Sequence, residues 1–301
     1  MSGQKLDLTK ISTELRNKKT MELDSLKTEE IVKIMNSEDN EVVKAIKCEI
    51  NNISNAIELV VKSFNKGGRL IYIGAGTSGR LGVLDAVECV PTFGVPDTMV
   101  VGLIAGGDSA FVKAVEGAED NKDLAISDLR DINLCRDDIV VGIAASGRTP
   151  YVIGGLEYAN NIGCNTVSVS CNKNSEISKL SKVAIEAQVG PEVLTGSTRL
   201  KAGTAQKMIL NMISTVSMVK IGKVYKNLMV DVLQTNDKLR VRAQNIVMEI
   251  TGVEREIAKQ KLEECYDNAK IAIVSILLDC DAKTAKEKLE KSNGKVRNAI
   301  K

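Results

Sequence analysis

The stretch that decides the fold spans residues 70–80 and reads LIYIGAGTSGR. It begins with a short apolar run typical of a buried strand, passes through closely spaced glycines and two hydroxyl residues, and leads into a helical pattern. Glycines let a backbone approach an anion, hydroxyl groups donate hydrogen bonds to its oxygens, and a helix N-terminus adds unpaired N–H groups and a positive dipole end. The stretch therefore predicts a strand, a phosphate-binding loop and a helix.

Two more loops share this character. The loop Ala144–Pro150 begins where the apolar run Ile139–Ala144 ends, and the polar loop Gly196–Thr204 precedes a helix predicted over Ala205–Ile221. Ligands of parallel sheets bind beyond the carboxyl ends of the strands, so the loops are expected to converge on a phosphorylated small molecule. The expected substrate- and phosphate-binding residues are Thr77, Ser78, Gly79, Ser146, Gly147, Arg148, Thr149, Ser197, Thr198 and Lys201.

Other interpretations of the first two loops are weaker. A nucleotide-hydrolysing P-loop ends in Gly-Lys-Ser/Thr, and neither loop has a lysine there. Gly74, Gly76 and Gly79 formally match the dinucleotide pattern G-x-G-x-x-G, but no second dinucleotide feature accompanies them. The hydroxyl-rich second loop favours a compact phosphate over a pyrophosphate. The remaining alternative is that both loops are tight strand-to-helix turns that bind no ligand.

The composition excludes several classes of function. A net charge of +2, with three Phe, five Tyr and no Trp among 301 residues, gives little attraction for nucleic acid and little surface for base stacking. No apolar run approaches the length of a membrane span, and the N-terminus has no secretory pattern, so we expect no membrane contact and a cytoplasmic protein. The seven dispersed cysteines indicate reduced thiols.

The absence of histidine restricts the chemistry further. It removes Ser-His-Asp and Cys-His nucleophilic systems together with histidine-based metal sites. Acid–base work is left to carboxylates, lysine, tyrosine or cysteine. Because no carboxylates cluster with metal-loop spacing, we predict neither a metal nor an organic cofactor.

Apolar runs alternate with helical segments, which predicts an α/β fold with a doubly wound, mostly parallel five-stranded sheet. A helical arm is predicted over 1–55 and the sheet domain over 56–236, and a long helix predicted over Glu41–Asn65 crosses the boundary between them. A small helical bundle, with breaks at 251–253 and 279–281, is predicted over 237–301. The predicted strands are Leu70–Ile73, Met99–Ile104, Ile139–Ala144, Thr166–Ser170 and Val183–Ala187.

Several long motifs, in one order, resemble those of the N-acetylmuramic acid 6-phosphate etherases. They are GAGTSGRLG from Gly74, LIAGG from Leu103, VEGAED from Val115, GIAASGRTPYV from Gly142 and TGSTRLKAGTAQK from Thr195. The resemblance implies a sugar isomerase (SIS) fold, a cytoplasmic homodimer and a role in recycling cell-wall amino sugar. It also implies cleavage of the lactyl ether of N-acetylmuramic acid 6-phosphate to N-acetylglucosamine 6-phosphate and D-lactate.

The same resemblance implies two catalytic glutamates, both in segments expected to be helical. Glu88 would protonate the departing lactate oxygen, and Glu119 would move the C2 proton or activate the incoming water. An aldose–ketose phosphosugar isomerase is an alternative, although that group often uses histidine. A phosphosugar-binding regulatory protein is another, but it would not need both glutamates.

Overall fold

A parallel sheet forms the centre of the first of two compact units in the computed structural model, which describes residues 12–232, 234 and 236–301. The first unit holds the described residues up to 87 together with 98–213, and the second holds 88–97 and the described residues from 214 to 301. The domain boundaries predicted after residues 55 and 236 stay predictions.

The sheet confirms the predicted α/β fold. Five parallel strands lie in the order β2-β1-β3-β4-β5, and each matches its predicted bounds to within one residue. β1 and β3 are completely buried, as expected for strands covered on both faces. The strands are β1 Leu70–Gly74, β2 Val100–Ile104, β3 Ile139–Ile143, β4 Asn165–Ser170 and β5 Val183–Glu186.

Helices cover both faces of the sheet. On one face, Ile71 and Ile73 of β1 share a buried core with Leu129 and Leu156. On the other, Gly82 packs so closely on the sheet that an added Cβ would lie 2.9 Å from Cβ of Tyr72. The helices of this part are α1 Thr28–Cys48, α2 Ile50–Phe64, α3 Gly76–Phe93, α4 Ser109–Val112, α5 Lys122–Asp131, α6 Pro150–Ile162, α7 Glu176–Lys179 and α8 Lys201–Lys220.

Two predicted helix bounds are wrong. The long helix predicted over Glu41–Asn65 is two helices, since Glu49 leaves the helical conformation with φ −105° and ψ 5°. The helix predicted from Ala205 begins at Lys201. Its early start has a cause outside the helix, because the carboxylate of Glu192, nine residues before Lys201, accepts the N–H groups of Lys201 at 3.0 Å and Ala202 at 2.9 Å.

The second unit contains the predicted helical bundle. Its core includes Val247, Leu262 and Ile273, and two of its helices end at the predicted breaks, where Gly252 and Asp279 adopt left-handed φ angles of 76° and 47°. A short hairpin, β6 Val224–Tyr225 and β7 Leu228–Met229, precedes the bundle. The bundle helices are α9 Asp237–Thr251, α10 Arg255–Glu264, α11 Ala269–Leu278, α12 Ala282–Lys291 and α13 Val296–Ala299.

No helix in the described part of the chain combines the length and the apolar character needed to cross a bilayer.

A buried ion pair joins α1 to the start of α8. Lys201 is only 2% exposed, and its Nζ lies 2.8 Å from Oε2 of Glu38. Burial alone would raise the pKa of Glu38, but hydrogen bonds from Lys19, Lys201 and Asn17 outweigh it and lower the pKa to about 2. The carboxylate therefore stays charged and keeps the lysine neutralised.

We expect Glu38→Gln to be much more destabilising than Lys201→Met. The first leaves a buried cation without its counter-charge, which costs about 3–5 kcal/mol. The second leaves Glu38 with two remaining partners, Lys19 and Asn17. Urea unfolding of both variants and of the wild type at pH 7 gives the comparison.

The same pair predicts a pH dependence. The pKa of the Glu38 carboxyl is 4.5 in the unfolded chain and about 2 in the folded protein. Its contribution to stability is therefore complete at pH values above 4.5 and is lost as the pH falls toward 2. The difference in free energy of unfolding between wild type and Glu38→Gln should therefore shrink over that range. A constant difference would contradict the role assigned to Glu38.

Candidate active site

The candidate site lies where β1 and β3 end side by side. Gly74 of β1 is in register with Ile143 of β3, so the loops that follow both strands leave the sheet at the same level. The strand that follows β1 in the chain is β2, which lies on the side of β1 away from β3. The strand that follows β3 is β4, which lies on the side of β3 away from β1. This reversal is the topological switch point, where parallel sheets bind their ligands.

The first loop is shorter than predicted, because α3 begins at Gly76 and already contains Thr77 and Ser78. The Gly79 N–H donates to the Ala75 carbonyl at 3.2 Å, so the N–H groups of Gly76, Thr77 and Ser78 precede the helical ladder. Such groups, with the positive end of the helix dipole, suit an anion.

The second loop presents hydroxyl groups at the start of α6. Gly147 adopts a φ of 72°, and a Cβ there would collide with the side chain of Ser175. Ser146 Oγ accepts the Arg148 N–H at 3.3 Å. Thr149 is the N-cap residue, but its hydroxyl makes no capping hydrogen bond. That hydroxyl is therefore available to a ligand.

A cavity of about 530 Å³, here called the main cavity, opens between these two loops. Its volume is within the range of small-molecule sites. Seven of the twelve predicted site residues line it together, from four separate segments of the chain. They are Thr77, Ser78, Glu119, Ser146, Arg148, Thr149 and Thr198.

The other predicted site residues are placed differently. Gly79, in α3, and Gly147, in the second loop, are buried and do not line the cavity, and Ser197 is half-buried beside Thr198. The prediction that Lys201 binds the phosphate is wrong. Its ammonium group is buried in the ion pair with Glu38, and it does not line the cavity.

The two predicted catalytic glutamates lie in different local structures. Glu88 is exposed on α3, as the helical prediction requires, and belongs to the second unit. Glu119 lies not in an α-helix but in a single 3₁₀ turn, Ala118–Asp120, which follows Gly117 at a φ of 76°. The residues that line the main cavity include Glu119 but not Glu88.

Asp85, a neighbour of Glu88 in sequence, has a different environment. It is buried, and Oδ2 accepts the hydroxyl of Tyr72 at 2.9 Å while Oδ1 accepts the amide of Asn211 at 2.9 Å. These contacts hold α3 to the sheet and to α8, so the role of Asp85 is structural.

Glu14 also lines the main cavity, although none of the sequence motifs contains it. The side chain of Asn172 binds the two residues before Glu14. Its Oδ1 accepts the Ser12 N–H at 2.7 Å, and its Nδ2 donates to the Thr13 hydroxyl at 3.2 Å. Asn172 Nδ2 also donates to the Ala145 carbonyl of the second loop at 3.0 Å. No short motif marks Glu14, since its position depends on a residue far along the chain.

A smaller pocket of about 180 Å³, here called the side pocket, adjoins the main cavity. The two share Ala75, Gly76 and Glu119. Its other lining residues include Arg80 and three alanines, so it combines one cation with small apolar side chains.

Two family models match the middle of the chain. Residues 52–160 match the glucokinase regulatory protein N-terminal SIS domain family, and residues 121–216 match the SIS domain family. Among solved structures, a phosphoheptose isomerase from Neisseria gonorrhoeae aligns with a TM-score of 0.49 and 15% identity, covering 63% of this chain and 97% of that one.

Relatives similar over almost the whole length identify the family. The N-acetylmuramic acid 6-phosphate etherase of Bacillus cereus (strain AH187) is 58% identical over 293 residues, which cover 97% of this chain and 100% of the relative. The etherase of Bacillus anthracis gives the same identity and coverage. The chain therefore belongs to the N-acetylmuramic acid 6-phosphate etherase family.

Proposed function

We propose that this protein cleaves the lactyl ether of N-acetylmuramic acid 6-phosphate, giving D-lactate and N-acetylglucosamine 6-phosphate. The 58% identity to etherases over 97% of the chain carries this proposal. The main cavity supports it, because hydroxyl groups, one arginine and the first N–H groups of α3 surround a volume suited to a phosphosugar.

The phosphate is bound at the starts of α3 and α6. The N–H groups of Thr77 and Ser78 and the hydroxyl of Thr149 donate to its oxygens, and Arg148 neutralises its charge. Backbone N–H groups need no proton transfer to bind an anion, so this end of the site needs no titrating residue.

Gln206 controls the hydroxyl of Ser78. Ser78 Oγ donates to Gln206 Oε1 at 2.9 Å, while Gln206 Nε2 is buried without a hydrogen-bond partner among the described residues. Rotating the amide by half a turn places Nε2 as a donor to Ser78 Oγ. The hydroxyl proton of Ser78 is then free for a phosphate oxygen.

The reaction is an elimination followed by a hydration. Once the sugar ring opens, the C2 proton is acidified by the C1 aldehyde, and Glu119 removes it. The bond between C3 and the ether oxygen breaks as that oxygen takes up a proton, the role that the family resemblance gives to Glu88, and D-lactate leaves. Water then adds at C3 of the unsaturated aldehyde and a proton returns to C2. Each step needs only placed acids and bases.

Glu119→Gln and Glu88→Gln should each lower kcat by about 10²–10⁴-fold, because each removes a group that transfers a proton in the transition state. Phosphosugar binding should persist in both variants. Release of D-lactate from N-acetylmuramic acid 6-phosphate, followed with a coupled dehydrogenase, measures kcat.

The control for these variants is Glu157→Gln. Glu157 is an exposed carboxylate on α6 that pairs with Lys122, so this variant should keep full activity. Normal lactate release by Glu119→Gln would refute its catalytic role. A wild type that binds the phosphosugar without releasing lactate would instead favour a regulatory binding protein, as the match to a regulatory SIS domain allows.

Heavy-oxygen water distinguishes elimination from displacement at the lactate carbon. Addition of water to the unsaturated aldehyde labels the sugar oxygen at C3 and leaves lactate unlabelled. Carbon NMR of the product reads C3 separately from C1, whose aldehyde oxygen exchanges with water by itself. Label in the hydroxyl of lactate would mean attack at the lactate carbon and would exclude the mechanism above.

The protein is also proposed to act as a homodimer in the cytoplasm. Apolar side chains are exposed on the first two helices: Val32 is 58%, Val43 59% and Ile50 53% exposed. Val32 and Val43 lie three turns apart on the same face of α1. Exposed apolar faces of this kind mark protein interfaces.

Val43→Glu should convert a dimer, with twice the 32.5 kDa of one chain, to a monomer, because it buries a charge in the proposed interface. Light scattering on a sizing column measures the mass. Ser37→Glu introduces the same residue at an exposed polar position of α1, about 120° around the helix from Val43, and should leave the dimer intact. Dimeric Val43→Glu would reject this face, and a monomeric wild type would reject the dimer itself.

A further inference from the structure

The side pocket has a size and a lining suited to one small branched group. Its volume is about 180 Å³, roughly a third of the main cavity, and it is more enclosed. Ala105, Ala110 and Val115 give it apolar walls, and Arg80 is its cation. It adjoins the main cavity and shares Ala75, Gly76 and Glu119 with it, so one ligand can occupy both with different substituents.

Arg80 is oriented by its own hydrogen bonds. Nε donates to the Phe111 carbonyl at 2.8 Å, and Nη2 donates to the Ala110 carbonyl at 2.8 Å. These bonds use two of the five N–H donors of a guanidinium group. The side chain is therefore held in place while it retains donors for an anion, the arrangement that favours paired hydrogen bonds to a carboxylate.

The apolar wall is formed by a tightly packed turn. Gly106 has a φ of 92°, and a Cβ added there would lie 2.9 Å from Cβ of Val115 and 3.2 Å from Cβ of Ala110. This close packing fixes the apolar wall of the pocket. The pocket is thus formed before any ligand binds, which reduces the ordering cost of binding.

We propose that the side pocket binds the lactyl group of the substrate, with Arg80 holding its carboxylate and the alanine and valine wall receiving its methyl group. This inference rests on the proposed function. The lactyl group is a carboxylate and a methyl on one carbon, the pair of chemistries that the pocket offers. It is also the part by which the substrate differs from the product sugar phosphate, so the pocket sets specificity for the ether.

The position of Glu119 agrees with this assignment. Glu119 lines both the main cavity and the side pocket, so a sugar in one and a lactyl group in the other would place the connecting ether beside its carboxyl. Glu116 is the other carboxylate of the side pocket, and its exposure lets solvent screen its repulsion of the lactyl carboxylate. Arg80 remains the residue that attracts this anion.

The test compares two ligands that differ by the lactyl group. kcat/KM is measured with N-acetylmuramic acid 6-phosphate, and the inhibition constant with N-acetylglucosamine 6-phosphate. Arg80→Gln should lower kcat/KM by roughly tenfold to a hundredfold, in line with loss of a charged hydrogen bond, and leave the inhibition constant unchanged. Ala114→Leu, which fills the pocket without touching the hydrogen bonds of Arg80, should do the same.

Arg148→Gln is the matched control. Arg148 lines the main cavity and not the side pocket, so its loss should weaken both ligands to a similar extent. Equal weakening of both ligands by Arg80→Gln and by Ala114→Leu would overturn the proposal, as would no effect from either. Absence of lactate release by the wild type would overturn the proposed function first, and the lactyl assignment with it.

Discussion

The parallel pairing of β1 with β3 is the interaction on which the site depends. Because Gly74 and Ile143 are in register, the loops after the two strands begin at the same edge of the sheet. The helices that follow then cover opposite faces, with α3 against Tyr72 and α6 in the core with Ile71. The two loops therefore separate as they leave the sheet, and the main cavity is the space between them. A different strand order would separate the two helix N-termini.

Local patterns predicted most of the fold, and the residues show why they succeeded and where they failed. Buried parallel strands are continuous apolar runs, so all five could be located from sequence. The start of α8 could not be located from sequence, because the carboxylate that caps it belongs to Glu192, outside the helix pattern. Nor could the position of Lys201 be predicted, since its partner Glu38 lies 163 residues away in sequence. Glu14 reaches the cavity through a contact of the same long range.

The distribution of charge separates structural cations from those available to a ligand. Lys201 looks like a phosphate-binding lysine in sequence but is neutralised by Glu38 inside the protein. Arg148 and Arg80 keep access to the cavities while their side chains contact neighbouring groups. A cation that is already buried with its counter-ion has lost its hydration and its long-range field, so it attracts no substrate. Charge in a loop therefore identifies a binding residue only once its partner is known.

The contact between Ser12 and Asn172 also constrains when the site becomes complete. These residues are 160 positions apart, so the segment that carries Glu14 is synthesised long before the residue that holds it. On the ribosome the beginning of the chain must wait until β4 has formed and Asn172 has emerged. Among the cavity residues, Glu14 is one of the first to be made, yet the contacts that hold its segment can form only after Asn172 has been made.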